Sequence, residues 1–204
     1  MLKVPMSVCV GPMFAGKTSS LLAKADRLMF EGVCPLFFKP LTDTRDEDEV
    51  ASHRGFIRQR HTHDAVSVRG LYQAAEEALT TIFPMREEGL VTRFAAFFDE
   101  VQFFEEEAFT IHDLADFVAE TEVESVHCFG LNLDARGKAW PTVAALLPYA
   151  TEIVGLSSVC KACRAPAHRT QRRTPWPSGE AVAVGAGADY EPRCVRCWSP
   201  EPLG

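Results

Sequence analysis

The stretch VCVGPMFAGKTSS, residues 8–20, decides the fold: an apolar run enters a loop containing Gly11, Gly16, Lys17 and Thr18, and a helical pattern leaves it. Those four residues fit the spacing G-x-x-x-x-G-K-[ST]. In such a loop the backbone N–H groups converge on phosphate oxygens, and the helix N-terminus behind them adds positive potential. Gly11, Pro12, Met13, Phe14, Ala15, Gly16, Lys17 and Thr18 are therefore read as a nucleotide cradle. Lys17 is expected to bridge the β- and γ-phosphates of ATP, and the Thr18 hydroxyl to hold Mg²⁺. A glycine turn with an incidental lysine is the alternative, and the strand before and helix after argue against it.

Outward from the loop, residues 2–10 read as a buried strand, and residues 17–31 carry Leu21, Leu22, Ala25, Leu28 and Met29 at helical spacing before Gly32 stops them. A second strand is expected over residues 33–38. The polar stretch LTDTRDEDEVASHRGFIRQRHTHD that follows has neither helical nor strand periodicity and is read as a mobile loop, of the long kind that often carries function. Helices are expected over residues 71–83, 105–120 and 142–149, and strands at RFAAFF, over residues 123–129 and over residues 153–159. Alternating strand and helix predicts an α/β fold, a parallel sheet flanked by helices on both faces. Composition then shifts to Cys, Pro, Gly and Arg. The chain is accordingly divided into a nucleotide-binding kinase domain, residues 1–155, and a small β-rich metal domain, residues 156–204.

With 204 residues and 47% apolar side chains the chain can bury one substantial core plus a small appendage that needs another source of stability. A net charge of -7 argues against a dominant nucleic-acid or membrane footprint. The sequence has no run of 18 or more apolar residues, and its start lacks the pattern of a secretory leader, so a cytoplasmic location is expected. Cys9, Cys34 and Cys128 lie in apolar runs and read as inert core residues. Cys160 and Cys163 form one C-x-x-C, and Cys194 and Cys197 a second. Four thiolates with no open position suit a tetrahedral structural Zn²⁺, preferred here over a redox dithiol or an iron–sulfur cluster. His168 reads as a surface residue rather than a further ligand.

The apolar strand in FAAFFDEVQFF ends in Asp99 and Glu100. Asp99 is placed to face the metal side of a nucleoside triphosphate. Glu100 projects differently and suits a general base if an acceptor hydroxyl lies within hydrogen-bond reach. Acid pairs at strand ends are otherwise solvated turn residues, and the phosphate loop is what favours the chemical reading here.

The order GPMFAGKT, KPLTDTR, FFDEVQFF, GLNLD and paired C-x-x-C resembles the zinc-containing (type II) thymidine kinases over nearly the whole chain. The resemblance implies a P-loop α/β domain with a small zinc domain, and transfer of the γ-phosphoryl of ATP to the 5′-hydroxyl of thymidine. It matches Glu100 to the base that takes the hydroxyl proton, and Asp43 and Arg45 to residues near the reacting phosphate. Arg45 is the guanidinium expected to stabilise transition-state charge alongside Lys17. Pairing of Arg45 with Asp43 and Asp46 on a solvated loop is the plainer alternative. Met13, Leu131, Thr170 and Tyr190 match base-contacting positions, and Phe103 and Phe104 are read either as an apolar wall for the base or as core. The resemblance further implies a homotetramer and a loop ending at Tyr190 that covers the nucleoside.

Three segments depart from the family pattern. In GLNLDARGKAW, Asn132 replaces an acid, Ala135 an aromatic and Trp140 a phenylalanine; Arg54 of SHRG stands at an acidic position; and VGAGADY alters the approach to Tyr190. These changes alter the pocket wall and spare the phosphate machinery, so they bear on base selectivity. Two rival readings remain at this point. One is a nucleic-acid-binding P-loop ATPase whose arginine-rich zinc module grips a polyanion. The other is a nucleotide-binding regulator without an acceptor pocket. Acids interspersed among Arg164, Arg169, Arg172, Arg173, Arg193 and Arg196, and the lack of alternating aromatics, favour a solvated face and no stable nucleic-acid partner.

Overall fold

A computed structural model describes residues 2–42, 49–52, 61–104, 106–176 and 187–203. The elements run β1 (Met6–Gly11), α1 (Lys17–Phe30), β2 (Cys34–Pro40), β3 (Glu49–Ser52), β4 (His61–Asp64), β5 (Val66–Val68), α2 (Leu71–Glu87) and β6 (Phe94–Phe98). They continue with α3 (Ile111–Thr121), β7 (Ser125–Leu131), α4 (Pro141–Leu146), β8 (Glu152–Gly155), β9 (Ser158–Val159), β10 (Pro166–Ala167), β11 (Arg169–Arg172) and β12 (Tyr190–Arg193).

The main sheet has six strands in the order β5-β2-β6-β7-β1-β8. All its pairings are parallel. Alternation along each strand divides the apolar side chains between two layers. Phe38, Phe98, Val8 and Cys128 pack with α2 and α3 residues such as Ala74, Ile82, Leu114 and Phe117. Phe37, Phe97, Cys9 and Phe129 pack on the other face with Leu21, Leu22 and Ala25 of α1. This is the two-faced α/β sheet that the periodicity predicts.

Several boundaries differ from expectation for local reasons. α3 begins at Ile111 rather than at residue 105, because Thr110 and Asp113 form a reciprocal capping box that fixes the start of the helix. α2 runs past Pro84 to Glu87; the ring lies on the exposed side, where the lost amide bond faces water. The expected strand over residues 153–159 is two strands, β8 in the main sheet and β9 in the metal ribbon. The polar stretch read as loop contains an antiparallel hairpin, β3 with β4, pairing Glu49 with Asp64 and Ser52 with His61. His63 docks that hairpin, stacking on Phe37 at 4.9 Å and meeting Asp26 Oδ1 at 3.0 Å.

At the C-terminal end β9 pairs with β10 and β11 with β12, both antiparallel, giving two short ribbons; Cys160 and Cys163 lie in the turn between β9 and β10, and Cys194 and Cys197 in the turn that follows β12. The ribbons meet the loops at the end of the main sheet at Met13 and Gly137, and Trp198 and Thr170 hold to each other within them. The Met13 N–H donates to Thr170 Oγ1 at 3.0 Å, and Trp198 Nε1 donates to the Thr170 carbonyl at 3.1 Å. The Trp198 ring also lies so close to Gly137 that a Cβ there would meet it at 2.7 Å.

Candidate active site and metal centre

β1 delivers the chain to Gly11, where an added Cβ would meet the Leu156 carbonyl oxygen at 2.9 Å, so only glycine fits the close approach. The loop closes at Gly16, whose φ of 81° is left-handed. α1 then begins without a side-chain cap and without an acidic residue in its first turn, in contrast to the capped start of α3. An uncapped helix start leaves backbone N–H groups and positive potential for an anion. Lys17, 7% exposed, folds back to donate from Nζ to the Pro12 carbonyl at 3.2 Å. Its ammonium therefore lies across the loop that its phosphate role requires.

Thr18 Oγ1 donates to Asp99 Oδ2 at 3.2 Å. The contact spans from the first turn of α1, which follows β1, to the end of β6, with β7 between the two strands. Asp99, 6% exposed, is held from both sides: its N–H donates to the Phe38 carbonyl at 3.0 Å, and its Oδ1 accepts from the Glu100 N–H at 2.9 Å. Glu100 itself adopts a left-handed conformation, φ 49° and ψ 42°, at the start of a short turn through Phe103. The Glu100 carboxylate accepts a hydrogen bond from Gln102 Nε2, and Gln102 Oε1 accepts from the Leu131 N–H at 2.9 Å. Gln102, 4% exposed, was not among the sequence candidates. The only sequence signal for it is its place two residues after Glu100.

Lys17, Thr18, Asp99 and Glu100 thus meet in one place. Leu131 ends β7 in register with Gly11 and reaches Glu100 through Gln102. Met13 and Thr170 touch across the two parts of the chain. Phe103 sits edge-to-face against Trp140 at 5.7 Å, half-buried. Phe104 is 4% exposed and packs against Phe98 and Phe109, so it belongs to the core. Tyr190 is buried, and its hydroxyl accepts from Arg172 Nη1 at 2.8 Å. Asp43, Arg45 and Arg54 lie outside the described residues. Among the described residues two buried polar atoms have no protein partner, Asn132 Oδ1 and Trp140 Nε1, both in the divergent segment GLNLDARGKAW.

The four cysteine sulfurs of Cys160, Cys163, Cys194 and Cys197 lie within 4.8 Å of one another, with Cys163 and Cys194 Sγ 3.6 Å apart. Four ligands about 2.3 Å from a tetrahedral Zn²⁺ stand about 3.8 Å apart, which matches this cluster. Burial raises the Cys160 thiol, but hydrogen bonds from the backbone of Cys194, Cys163 and Ala162 outweigh it and hold Cys160 down at about 6. Cys197 is pushed up to about 12, chiefly by hydrogen bonding with Cys194 and Cys163. Thiolates held this close repel one another, and a divalent cation between them would offset that charge. His168 is exposed and outside the cluster. The isolated thiols are of another kind: burial pushes Cys9 up to about 11 and Cys128 up to about 12, so both are inert at neutral pH. No described helix is long and apolar enough to cross a membrane.

The thymidine kinase family model matches residues 4–198. The chain is similar to a thymidine kinase of Pyrobaculum aerophilum, 34% identical over 197 residues that cover 93% of this chain and 95% of the relative. It is equally similar to one of Thermococcus kodakarensis, 34% identical over 195 residues covering 93% and 91%. A thymidine kinase of Mycoplasmoides gallisepticum is 30% identical over 192 residues, covering 92% of this chain and 77% of the relative. A phosphate loop, an acid pair facing it and four clustered sulfurs, in a chain matched almost end to end, place this protein in the thymidine kinase family.

Proposed function

We propose that this enzyme moves the γ-phosphoryl group of ATP to the 5′-hydroxyl of thymidine, giving dTMP and ADP. The observation that carries the reading is the meeting of Thr18 with Asp99 directly beside Glu100 at the mouth of the phosphate loop. Thr18 Oγ1 and Asp99 Oδ2 suit Mg²⁺, because two oxygens on adjacent positions of an octahedral ion stand about 3 Å apart. Mg²⁺ supplies charge neutralisation on the β- and γ-oxygens when bound.

This chain's own residues do the rest. Lys17 exchanges the Pro12 carbonyl for phosphate oxygens, and Arg45 adds a second cation where charge develops in the loose transition state. Glu100 accepts the proton of the 5′-hydroxyl as its oxygen bonds to the γ-phosphorus. The bond from that phosphorus to the β-phosphate oxygen breaks, and ADP leaves. Met13, Phe103, Leu131, Thr170 and Tyr190 form the base side of the pocket, and the family resemblance assigns Asp43 to the substrate side of the reacting phosphate. The metal ribbon holds structural Zn²⁺ through Cys160, Cys163, Cys194 and Cys197. It forms a domain of its own from residue 156, and keeps Thr170 and Tyr190 in place.

A polyanion-binding role draws little support from the ribbon. Arg172 is buried, and Arg193 is half-buried and paired with Glu191, so these two cations are turned inward. The exposed apolar side chains Met29, Phe30, Tyr72 and Leu90 support a homo-oligomer, with the tetramer as the expected form. Its mass in light scattering tests that.

Incubation with γ-labelled ATP, Mg²⁺ and each deoxynucleoside tests the function. Label is expected on thymidine, and Glu100→Gln is expected to lower kcat by about 10²–10⁴-fold. Label on no nucleoside would refute the kinase reading, and full transfer by Glu100→Gln would refute the base assignment.

A further inference from the structure

We infer that Gln102 is a positioning residue for phosphoryl transfer: it clamps the Glu100 carboxylate to the end of β7 and thereby sets where the base stands. The inference rests on the reading of Glu100 as the base. It starts from a backbone group. The Leu131 N–H can only donate, so the Gln102 atom 2.9 Å from it is the side-chain oxygen. That fixes the amide. Its nitrogen is left facing Glu100, whose carboxylate can only accept while ionised, and it donates there.

Three features show that the clamp is built in. Gln102 is 4% exposed, so its amide has no water to turn towards in place of these partners. Gly130, just before Leu131, leaves no room for a side chain, since an added Cβ would lie 2.8 Å from both Gln102 Oε1 and Val101 Cγ2. The absence of that side chain lets the amide lie against β7. Glu100 also occupies a left-handed backbone conformation, which a glutamate adopts only when its surroundings impose it. The Asp99 carboxylate on its N–H and the Gln102 amide on its side chain supply that constraint from two directions.

A residue that acts through Glu100 must show three properties at once. Gln102→Met keeps the volume but loses both hydrogen bonds. Gln102→Glu keeps an oxygen for the Leu131 N–H and so the packing, but sets an oxygen against Glu100 in place of the donor. Both variants, with thermal stability and metal content checked on the same samples, are expected to lose about 30–100-fold in kcat, with the KM values for thymidine and ATP within about threefold of the parent, as for an interaction made at the transition state. Either change added to Glu100→Gln should cost less than about threefold further, because residues that work as one unit do not add. Parent-like kcat in Gln102→Glu, or a loss that multiplies fully with that of Glu100→Gln, would overturn the inference. If Glu100→Gln alone kept full transfer, the base reading would fall first; a dead Glu100→Gln beside a fully active Gln102→Glu would sink only the role of Gln102.

Discussion

Gly130 shows how much chemistry can hang on a missing side chain. Its neighbours Val101 and Gln102 would each meet a Cβ at 2.8 Å, and Val143 Cγ2 at 3.2 Å. Gly130→Ala therefore has to push the Glu100 turn away from β7. A stability loss of about 1–3 kcal/mol is expected from overpacking, read by urea unfolding, together with a lower kcat. His127 gives a second test at this scale. Its ring bridges Ser7 Oγ at 2.7 Å and Ser125 Oγ at 3.0 Å, under Phe97 at 4.6 Å. Burial first, and then the charge of Lys24, pull its pKa from 6.5 down to about 3. The unfolded chain thus binds a proton that the folded chain refuses across that interval. The stability from neutral His127 is present above about pH 6.5 and is lost on acidification, at up to about 1.4 kcal/mol per pH unit. His127→Gln should unfold with a shallower dependence between roughly pH 6.5 and pH 5 than the parent. An unchanged slope would show that His127 does not carry it.

At the scale of elements, the strands that build the site were legible because they are apolar and end in chemically marked residues. VCVG before the loop and FAAFF before Asp99 could be read from periodicity and motif together. The β3–β4 hairpin could not. Its strands, EVAS and HTHD, are short and polar, and its docking depends on His63 against Phe37 and Asp26, partners distant in sequence. Gln102 escaped for a similar reason, since its meaning lies in a backbone N–H of β7 that no local pattern reveals. The ribbon makes its own prediction. Its buried cluster, of Cys160, Ala167 and Cys194, is too small to hold it without metal. Chelation should release about one zinc per chain and weaken thymidine binding by at least about tenfold while ATP binding changes less, as isothermal titration would show. Thr170→Val leaves the Met13 N–H without its acceptor. It is expected to cost about 1–3 kcal/mol in stability and to raise the KM for thymidine severalfold.

In the whole molecule, one parallel sheet brings together residues far apart in the chain. β1 and β6 flank β7, so the start of the phosphate loop and the Asp99–Glu100 pair emerge on either side of Leu131 at the C-terminal ends of the strands. The general tendency of open α/β sheets to bind ligands at the C-terminal ends of their strands is met here by three neighbouring strands at once. The ribbon then reaches over those ends through Thr170. Strand order was not readable from the sequence, yet it is what converts two separate motifs into one site.

The most direct measurement is a crystal structure with thymidine and a non-hydrolysable ATP analogue bound with Mg²⁺. The 5′-oxygen should lie within hydrogen-bond distance of the Glu100 carboxylate and in line with the γ-phosphorus, with Gln102 still bridging Glu100 and the Leu131 N–H. A Glu100 side chain turned away from the nucleoside, with the 5′-oxygen met by some other group, would contradict the account.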